Sequence, residues 1–256
     1  MTEPARPLPP GLGNAGLVER VGANVHRPRH PNSSSVEAFL VHLASTGCTD
    51  APRFIGITDD NRQAVSYIPG DTGIRPNIGD PELLVSVAQL QRRLHDASLA
   101  FVVPAHSTWD TQLSSPSQAN LVCHNDLNVN NVVAVGTLAV GAIDFDFAAP
   151  SDPHWDLAIA LRHWLPVIDP SDRHGDWADI DTAVRFTAYL DAYGLSVAHR
   201  PHVAALIGQF LDHALAAMRR NAAARKPAYV RVWESGYPDV NRRSQTWWQR
   251  QIRSLF

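Results

Sequence analysis

"LVCHNDLNVNNVVAVGTLAVGAIDFDFAAP", residues 121–150, sets one histidine, four asparagines and three aspartates between short apolar runs. Its spacing decides how the chain folds here. Leu121-Val122-Cys123 reads as a buried strand with His124-Asn125-Asp126 at its end. Asn131 lies five residues beyond Asp126, and "VVAVGTLAVGAI" reads as a β-hairpin that delivers Asp144. Two polar sites are thereby carried to neighbouring strand ends.

Outward from this stretch the pattern changes sides. Downstream, Asp152-Pro153 starts a helix through "HWDLAIALRHWL", and "DIDTAVRFTAYLDAYG" and "PHVAALIGQFLDHALAAMRRNAAA" are two more, so the second half is mainly helical. Upstream, Leu99 to Asn120 reads as loop. Before it, Asp80 is an N-cap, Pro81 suits a first turn, and Leu83, Leu84, Val87, Leu90 and Leu94 form an apolar stripe. The first half is β-rich. "LVERVGANVHR" (17–27) reads as a hairpin turning at Gly22 to Asn24, and "RFIGIT" and "QAVSYI" as strands separated by "DDNR". One main helix, "SSSVEAFLVHLAS", has serine caps and apolar Val36, Phe39, Leu40 and Leu43. The glycine- and proline-rich "IPGDTGIRPNIGDP" holds the hinge. The division is a flexible proline-rich tail over 1–10, a lobe over 11–68, a hinge over 69–73 and a second lobe over 74–256, an α+β chain.

Composition narrows the function classes. The 256 residues suffice for one large domain or two lobes, and 45% hydrophobic with 18% charged residues is globular. No run of 18 apolar residues is present, which argues against a membrane span, and "MTEPARPLPP" lacks the apolar core of an export signal. Only Cys48 and Cys123 occur, so no disulfide framework is expected and a reducing cytoplasm suits the chain. A net charge of -3 argues against general nucleic-acid binding. Twelve histidines include no H-x-x-x-H with acidic support and no Cys-x-x-Cys pair, against zinc.

The polar stretch fits phosphoryl transfer. That chemistry needs a carboxylate to orient a hydroxyl and take its proton, and oxygen ligands for Mg2+ beside it. His124-x-Asp126-x-x-x-x-Asn131, followed by an aspartate after a hairpin, matches the kinase catalytic-loop pattern. With "CHNDLNVNN", "AIDFDFAAPSDPHWDLA" and, more weakly, "QLQRRLHD" and "SYIPG", the chain resembles the aminoglycoside phosphotransferase and choline kinase-like small-molecule kinases. The resemblance implies a bilobal protein-kinase-like fold, with a small β-rich N-terminal lobe binding the nucleotide and a larger helical C-terminal lobe binding the acceptor. It makes Asp126 the catalytic base, His124 a brace of the catalytic loop, Asn131 and Asp144 magnesium ligands and Asp146 a helper of the metal. Asp156 in "WDLA" resembles the family's helix aspartate that supports that loop. Where the family usually has His-Gly-Asp, this chain has His124-Asn125-Asp126.

Other candidates each have a plainer reading. "GLGNAGLV" (11–18) fits G-x-G-x-x-G-x-V, whose Gly11 and Gly13 would let backbone amides approach phosphates, or it is an irregular N-terminal turn. Arg27 stands where the family has a basic residue, usually lysine, reaching the nucleotide phosphates. Glu37 either pairs with Arg27 or is a solvated helix residue, and Tyr67 in "SYIPG" borders the nucleotide side of the hinge. His95 closes a helix, where histidine is more often a dipole partner than a catalyst. "DFD" also fits the D-x-D of a sugar transferase, which leaves His124, Asp126 and Asn131 unexplained. Five aspartates in "DPSDRHGDWADID" (169–181) either attract a cationic acceptor or cap local structure, and the basic C-terminal region either balances them or not. The expectation is transfer of the γ-phosphoryl of Mg2+-bound ATP or GTP to a small-molecule hydroxyl. The alternative is a catalytically silent kinase-like protein acting as a resistance or immunity factor.

Overall fold

A computed structural model of the chain describes residues 5–8, 18–73, 78–117, 121–177 and 180–256. The hairpin expected near residue 20 forms from β2 (Glu19–Val21) and β3 (Asn24–Arg27), turning more tightly than the sequence suggests, so that Asn24 is already on the strand. β4 (Phe54–Ile57) and β5 (Gln63–Ser66) form the second pair. With β1 (Arg6–Pro7) they make a five-stranded antiparallel sheet in the order β1-β2-β3-β5-β4. The proline count predicts a flexible tail over 1–10, yet Arg6–Pro7 pair with Arg20 and Glu19. Proline is tolerated there because β1 is an edge strand. Gly11 and Gly13 lie outside the described residues.

Helix α1 (Ser33–Ser45) buries Val36, Phe39, Leu40 and Leu43 as their spacing predicts. Its N-cap position is Asn32, not a serine, and makes no side-chain cap. The Asn32 amide instead donates to the Asp146 carbonyl at 2.7 Å, tying the start of α1 to the second half of the chain. The crossing is close elsewhere too. Asp71 and Ala134 exchange both backbone hydrogen bonds at 2.9 Å, joining the segment after β5 to the hairpin of β7 (Val132–Val135) and β8 (Leu138–Ala142). A Cβ on Gly70, whose φ is +146°, would stand 2.6 Å from Val133 Cγ1, and one on Gly141 2.7 Å from Ile68 Cδ1. At Gly70, where the Ala134 carbonyl oxygen is 2.7 Å from that position, only glycine permits the approach, whereas at Gly141 the Ile68 side chain would have to turn aside.

Asp80 caps α2 (Pro81–Ser98) by accepting from the Glu82 and Leu83 amides. Asp152 caps α3 (Pro153–Trp164) through the His154 amide, and Asp181 caps α4 (Thr182–Tyr193). α2 packs on α4, and α3 on α5 (Arg200–Ala223), around buried Trp155, Trp164, Phe186 and Tyr189. The chain ends in α6 (Pro227–Glu234) and α7 (Tyr237–Gln251). The opening stretch supplies β6 (Leu121–Cys123), paired with β9 (Ala149–Ser151), so both ends of the polar segment are held in one two-stranded ladder. The architecture is the α+β one expected, a small antiparallel sheet with one helix beside a larger helical part. Among the described residues no helix is long and apolar enough to cross a membrane.

Candidate active site

β6 enters buried and stops at His124, whose imidazole bridges two segments. Nε2 donates to the Ile143 carbonyl at 2.9 Å, and Nδ1 accepts from the Asp126 amide at 3.3 Å. This pairing requires the neutral ring. Burial pushes the His124 pKa down, in agreement. The loop start is thereby clamped to the strand that delivers Asp144.

Asp126 lies at the focus. Its Oδ1 accepts from Asn128 Nδ2 at 3.0 Å and its Oδ2 from Asn131 Nδ2 at 2.9 Å. Burial is the main influence on its titration, with the charges of Asp144 and Asp156 adding to it, and together they outweigh the two asparagines and raise the carboxyl from 3.8 to about 7. A carboxylate poised near neutrality is suited to general-base work. The Asn131 Nδ2 also donates to the Asp126 carbonyl at 2.9 Å, so the orientation of the amide is fixed and its oxygen is turned away from these partners. The Asn131 carbonyl in turn accepts from the Ile143 amide at 2.8 Å, registering Asn131 beside Asp144.

Asp144 has left-handed backbone, φ 63°, which turns the chain sharply out of β8 into the short turn Phe145–Phe147. Its Oδ1 accepts from Arg27 at 3.0 Å, and Arg27 also pairs with Asp146. Burial opposes the charge on Arg27, but the two aspartates outweigh it and raise its pKa. Arg27 therefore faces the aspartates from the sheet. The anticipated Arg27–Glu37 pair does not form. Arg29, two residues further on, takes Glu37 with two bonds of 2.9 and 3.1 Å, and Gln63 adds a third at 3.4 Å. Arg27 is spoken for by two carboxylates across the cleft, whereas Arg29 has left β3 and reaches α1. Tyr67 lies under the Arg20 guanidinium, 3.9 Å from the ring centre, packed within the sheet side.

Beneath the loop runs a buried network. Asp156 Oδ1 accepts the Asn125 amide at 2.6 Å, and Oδ2 accepts from Gln91 at 2.7 Å and bonds His95 Nε2 at 2.8 Å. His95 Nδ1 meets Tyr193 at 2.8 Å, and Tyr189 donates to Gln91 at 2.7 Å. Burial alone would raise the Asp156 pKa, but His95 and Gln91 hold it below its usual value. His95, in the last turn of α2, reaches Asp156 and so sits as a strut under the loop.

Asn125 and Asn128 carry roles that composition does not reveal. Asn125 has φ 57° and is fully buried, and its Nδ2 is shared among the Cys123, Phe147 and Ala149 carbonyls at 3.3, 3.1 and 3.2 Å. The left-handed backbone explains why glycine is usual at this point and why asparagine substitutes for it. Asn128 orients Asp126 and accepts from the Asn130 amide at 2.8 Å. The aspartates of 169–181 have local partners where described. Asp169 accepts from Ser171, Asp172 pairs twice with Arg243 at 2.7 Å, and Asp181 caps α4.

Hard oxygen donors from Asn131, Asp144 and Asp146 make a set suited to Mg2+. Residues 105–185 match the phosphotransferase enzyme family. The trifolitoxin immunity protein of Rhizobium leguminosarum bv. trifolii is 30% identical over 219 residues, covering 82% of this chain and 83% of that protein. Among solved structures, a choline/ethanolamine kinase family protein from Mesorhizobium loti aligns with a TM-score of 0.63 at 16% identity, over 99% of this chain and 88% of the other. An aminoglycoside phosphotransferase from Alicyclobacillus acidocaldarius aligns with 0.54 at 15% identity, over 94% and 91%.

Proposed function

The chain belongs to the phosphotransferase enzyme family, and from that premise we propose that it transfers the γ-phosphoryl group of a nucleoside triphosphate to a hydroxyl of a small molecule. The observation that carries this reading is the Asp126–Asn131 pair, whose fixed amide leaves one oxygen for a cation while the carboxylate titrates near 7. Asp126 aligns the acceptor hydroxyl and accepts its proton at a carboxylate oxygen as the new O–P bond forms and the bond to the leaving nucleoside diphosphate breaks. Asn131 and Asp144 would hold Mg2+, with Asp146 assisting. When bound, that ion neutralises the phosphate oxygens. Arg27 swings its guanidinium from the aspartates to the phosphates, a planar fork suited to phosphate oxygens. His124 and Asp156 keep the loop in register, and ATP or GTP serves as donor.

A second reading has a specific observation in its favour. The relative from Rhizobium is named an immunity protein, and a kinase-like protein that binds a toxic molecule without modifying it would confer immunity too. The experiment that separates the two is a screen of aminoglycosides, choline, sugars, amino alcohols and hydroxy acids, read by mass for gain of one phosphoryl group. A product that disappears with Asp126→Asn supports the enzyme. Magnesium-dependent nucleotide binding with no product on any acceptor supports the silent binder.

A further inference from the structure

Arg27 has carboxylates within reach on both sides of it, and it holds only one set. In the β3–β5 ladder Arg27 stands opposite Gln63, so the two side chains leave the same face of the sheet. Gln63 Nε2 donates to Glu37 Oε1 at 3.4 Å, which puts Glu37 within the length of an arginine side chain at that position. Glu37 is buried, and a buried carboxylate needs a cation or several donors. Arg29 supplies them. Its Nε and Nη2 donate to the two Glu37 oxygens at 2.9 and 3.1 Å. The same guanidinium reaches Ser34 Oγ at 3.1 Å and Asn61 Oδ1 at 3.4 Å. Anchored on three residues, Arg29 keeps Glu37 from Arg27.

Arg27 crosses instead to Asp144 at 3.0 Å and to Asp146. Both sets of carboxylates belong to one frame. α1 carries Glu37, and Asn32 at its start donates to the Asp146 carbonyl at 2.7 Å. Phe39, also on α1, packs against Phe145 with ring centres 6.3 Å apart. Arg27 can therefore pass from the aspartates to Glu37 by turning its side chain, without α1 moving against the turn that follows Asp144. Where it now rests, the guanidinium occupies two of the three residues suited to Mg2+. A divalent cation arriving alone meets carboxylates already neutralised and a positive charge among them. A cation arriving on a nucleotide brings phosphate oxygens that offer Arg27 another bidentate partner.

We propose that Arg29 is a positioning residue: by occupying Glu37 it sets Arg27 as a latch on Asp144 and Asp146, so that the metal enters together with the nucleotide and not alone. This rests on the phosphotransfer reading, in which those aspartates hold the cation, and adds an order of binding to it. Glu37 is the competitor that would release the latch, and Arg29 is what silences it.

The probe is Mn2+ in place of Mg2+, with the free ion counted by electron paramagnetic resonance. It is titrated into the full chain without nucleotide, and again with a non-hydrolysable nucleoside triphosphate analogue. Without nucleotide, wild type is expected to bind Mn2+ weakly and Arg27→Gln about tenfold or more tightly. Arg29→Met frees Glu37 to draw Arg27 away and is expected to tighten Mn2+ in the same direction. Adding Glu37→Gln to Arg29→Met removes that attraction, leaves Arg27 the aspartates again, and is expected to restore the wild-type value. Arg29→Lys, which keeps a cation on Glu37, is expected to stay near wild type. Thermal unfolding checks that each variant folds, and Arg27→Gln, which leaves the Arg29–Glu37 pair intact, decides the latch even if Arg29→Met does not fold. Unchanged Mn2+ affinity in Arg27→Gln overturns the latch, and a gain in Arg29→Met that survives Glu37→Gln overturns the role of Arg29. If Mn2+ binds none of these proteins even with nucleotide, the cation site fails and the phosphotransfer reading with it. Mn2+ that binds with nucleotide, while the single variants match wild type without it, overturns this inference alone.

Discussion

Asp126→Asn separates the cost of burying this carboxylate from its proposed use. In the folded chain the group is raised from 3.8 to about 7, mainly by burial. A carboxyl raised on folding contributes stability that is present in full below its unfolded pKa and is lost as pH rises through the folded one. With pKa values of about 3.8 and 7, linkage has the wild type giving up about 2.5 kcal/mol from this group between pH 5 and pH 8. The amide does not titrate, so Asp126→Asn escapes that loss. It pays a separate penalty. Both carboxylate oxygens accept from asparagine amides, and the new side chain has only one acceptor, which costs about 1 to 3 kcal/mol at any pH. The two effects part cleanly in the pH slope. Denaturant unfolding of both proteins at pH 5, 6, 7 and 8 is expected to show the stability difference moving in favour of the variant by about 2.5 kcal/mol. That corresponds to a relative Tm gain of about 5 to 10 °C for a chain of this size. Turnover in the same variant is expected to fall on the order of 10²- to 10⁴-fold. A difference that stays flat from pH 5 to pH 8 would show that the carboxylate is not raised and would refute the reasoning.

Three further outcomes follow from the loop and its supports. Asp156→Ala strands the Asn125 amide, Gln91 and His95 together, and urea unfolding is expected to show a loss of about 3 to 5 kcal/mol at neutral pH. Because the Asp156 pKa is depressed, that gap is expected to narrow as pH falls below 3.8. Asn125→Gly keeps the left-handed backbone but gives up three weak hydrogen bonds, so a loss near 1 kcal/mol and turnover within a few-fold of wild type are expected. Asn125→Val, which resists φ 57°, should lose both stability and turnover, and equal behaviour of the two variants would reject the backbone argument. Arg27→Ala is expected to weaken magnesium-nucleotide binding about tenfold or more in calorimetry; undiminished affinity would leave Arg27 only its aspartate partners.

The stretch over 121–150 was legible because its structure is local. Strand, loop and hairpin follow one another in 30 residues, and the spacing of His124, Asp126, Asn131 and Asp144 can be counted. Helices α2, α3 and α4 were legible for the same reason, since Asp80, Asp152 and Asp181 announce their caps within two or three residues, whereas α6 and α7 carry no such cap and were not read. What escaped depends on contacts between distant segments. Nothing near Arg27 or Arg29 reveals which of them faces Asp144, 117 residues away, and which faces Glu37. His95 reads as a helix end until Asp156 arrives 61 residues later. Asn125 is an intermediate case. The usual glycine at that point signals a left-handed backbone, but the three carbonyls that its amide gathers become visible only when β6 and β9 pair.

The central claim is that Asp126 and its neighbours move a phosphoryl group. The most direct measurement follows a γ-labelled nucleoside triphosphate, with Mg2+ and the acceptor panel, in wild type and in Asp126→Asn. Label on an organic acceptor is expected with wild type and its near-complete loss in the variant, while both proteins bind the nucleotide. Label that stays on the nucleotide with every acceptor, or transfer that persists in Asp126→Asn, would contradict it.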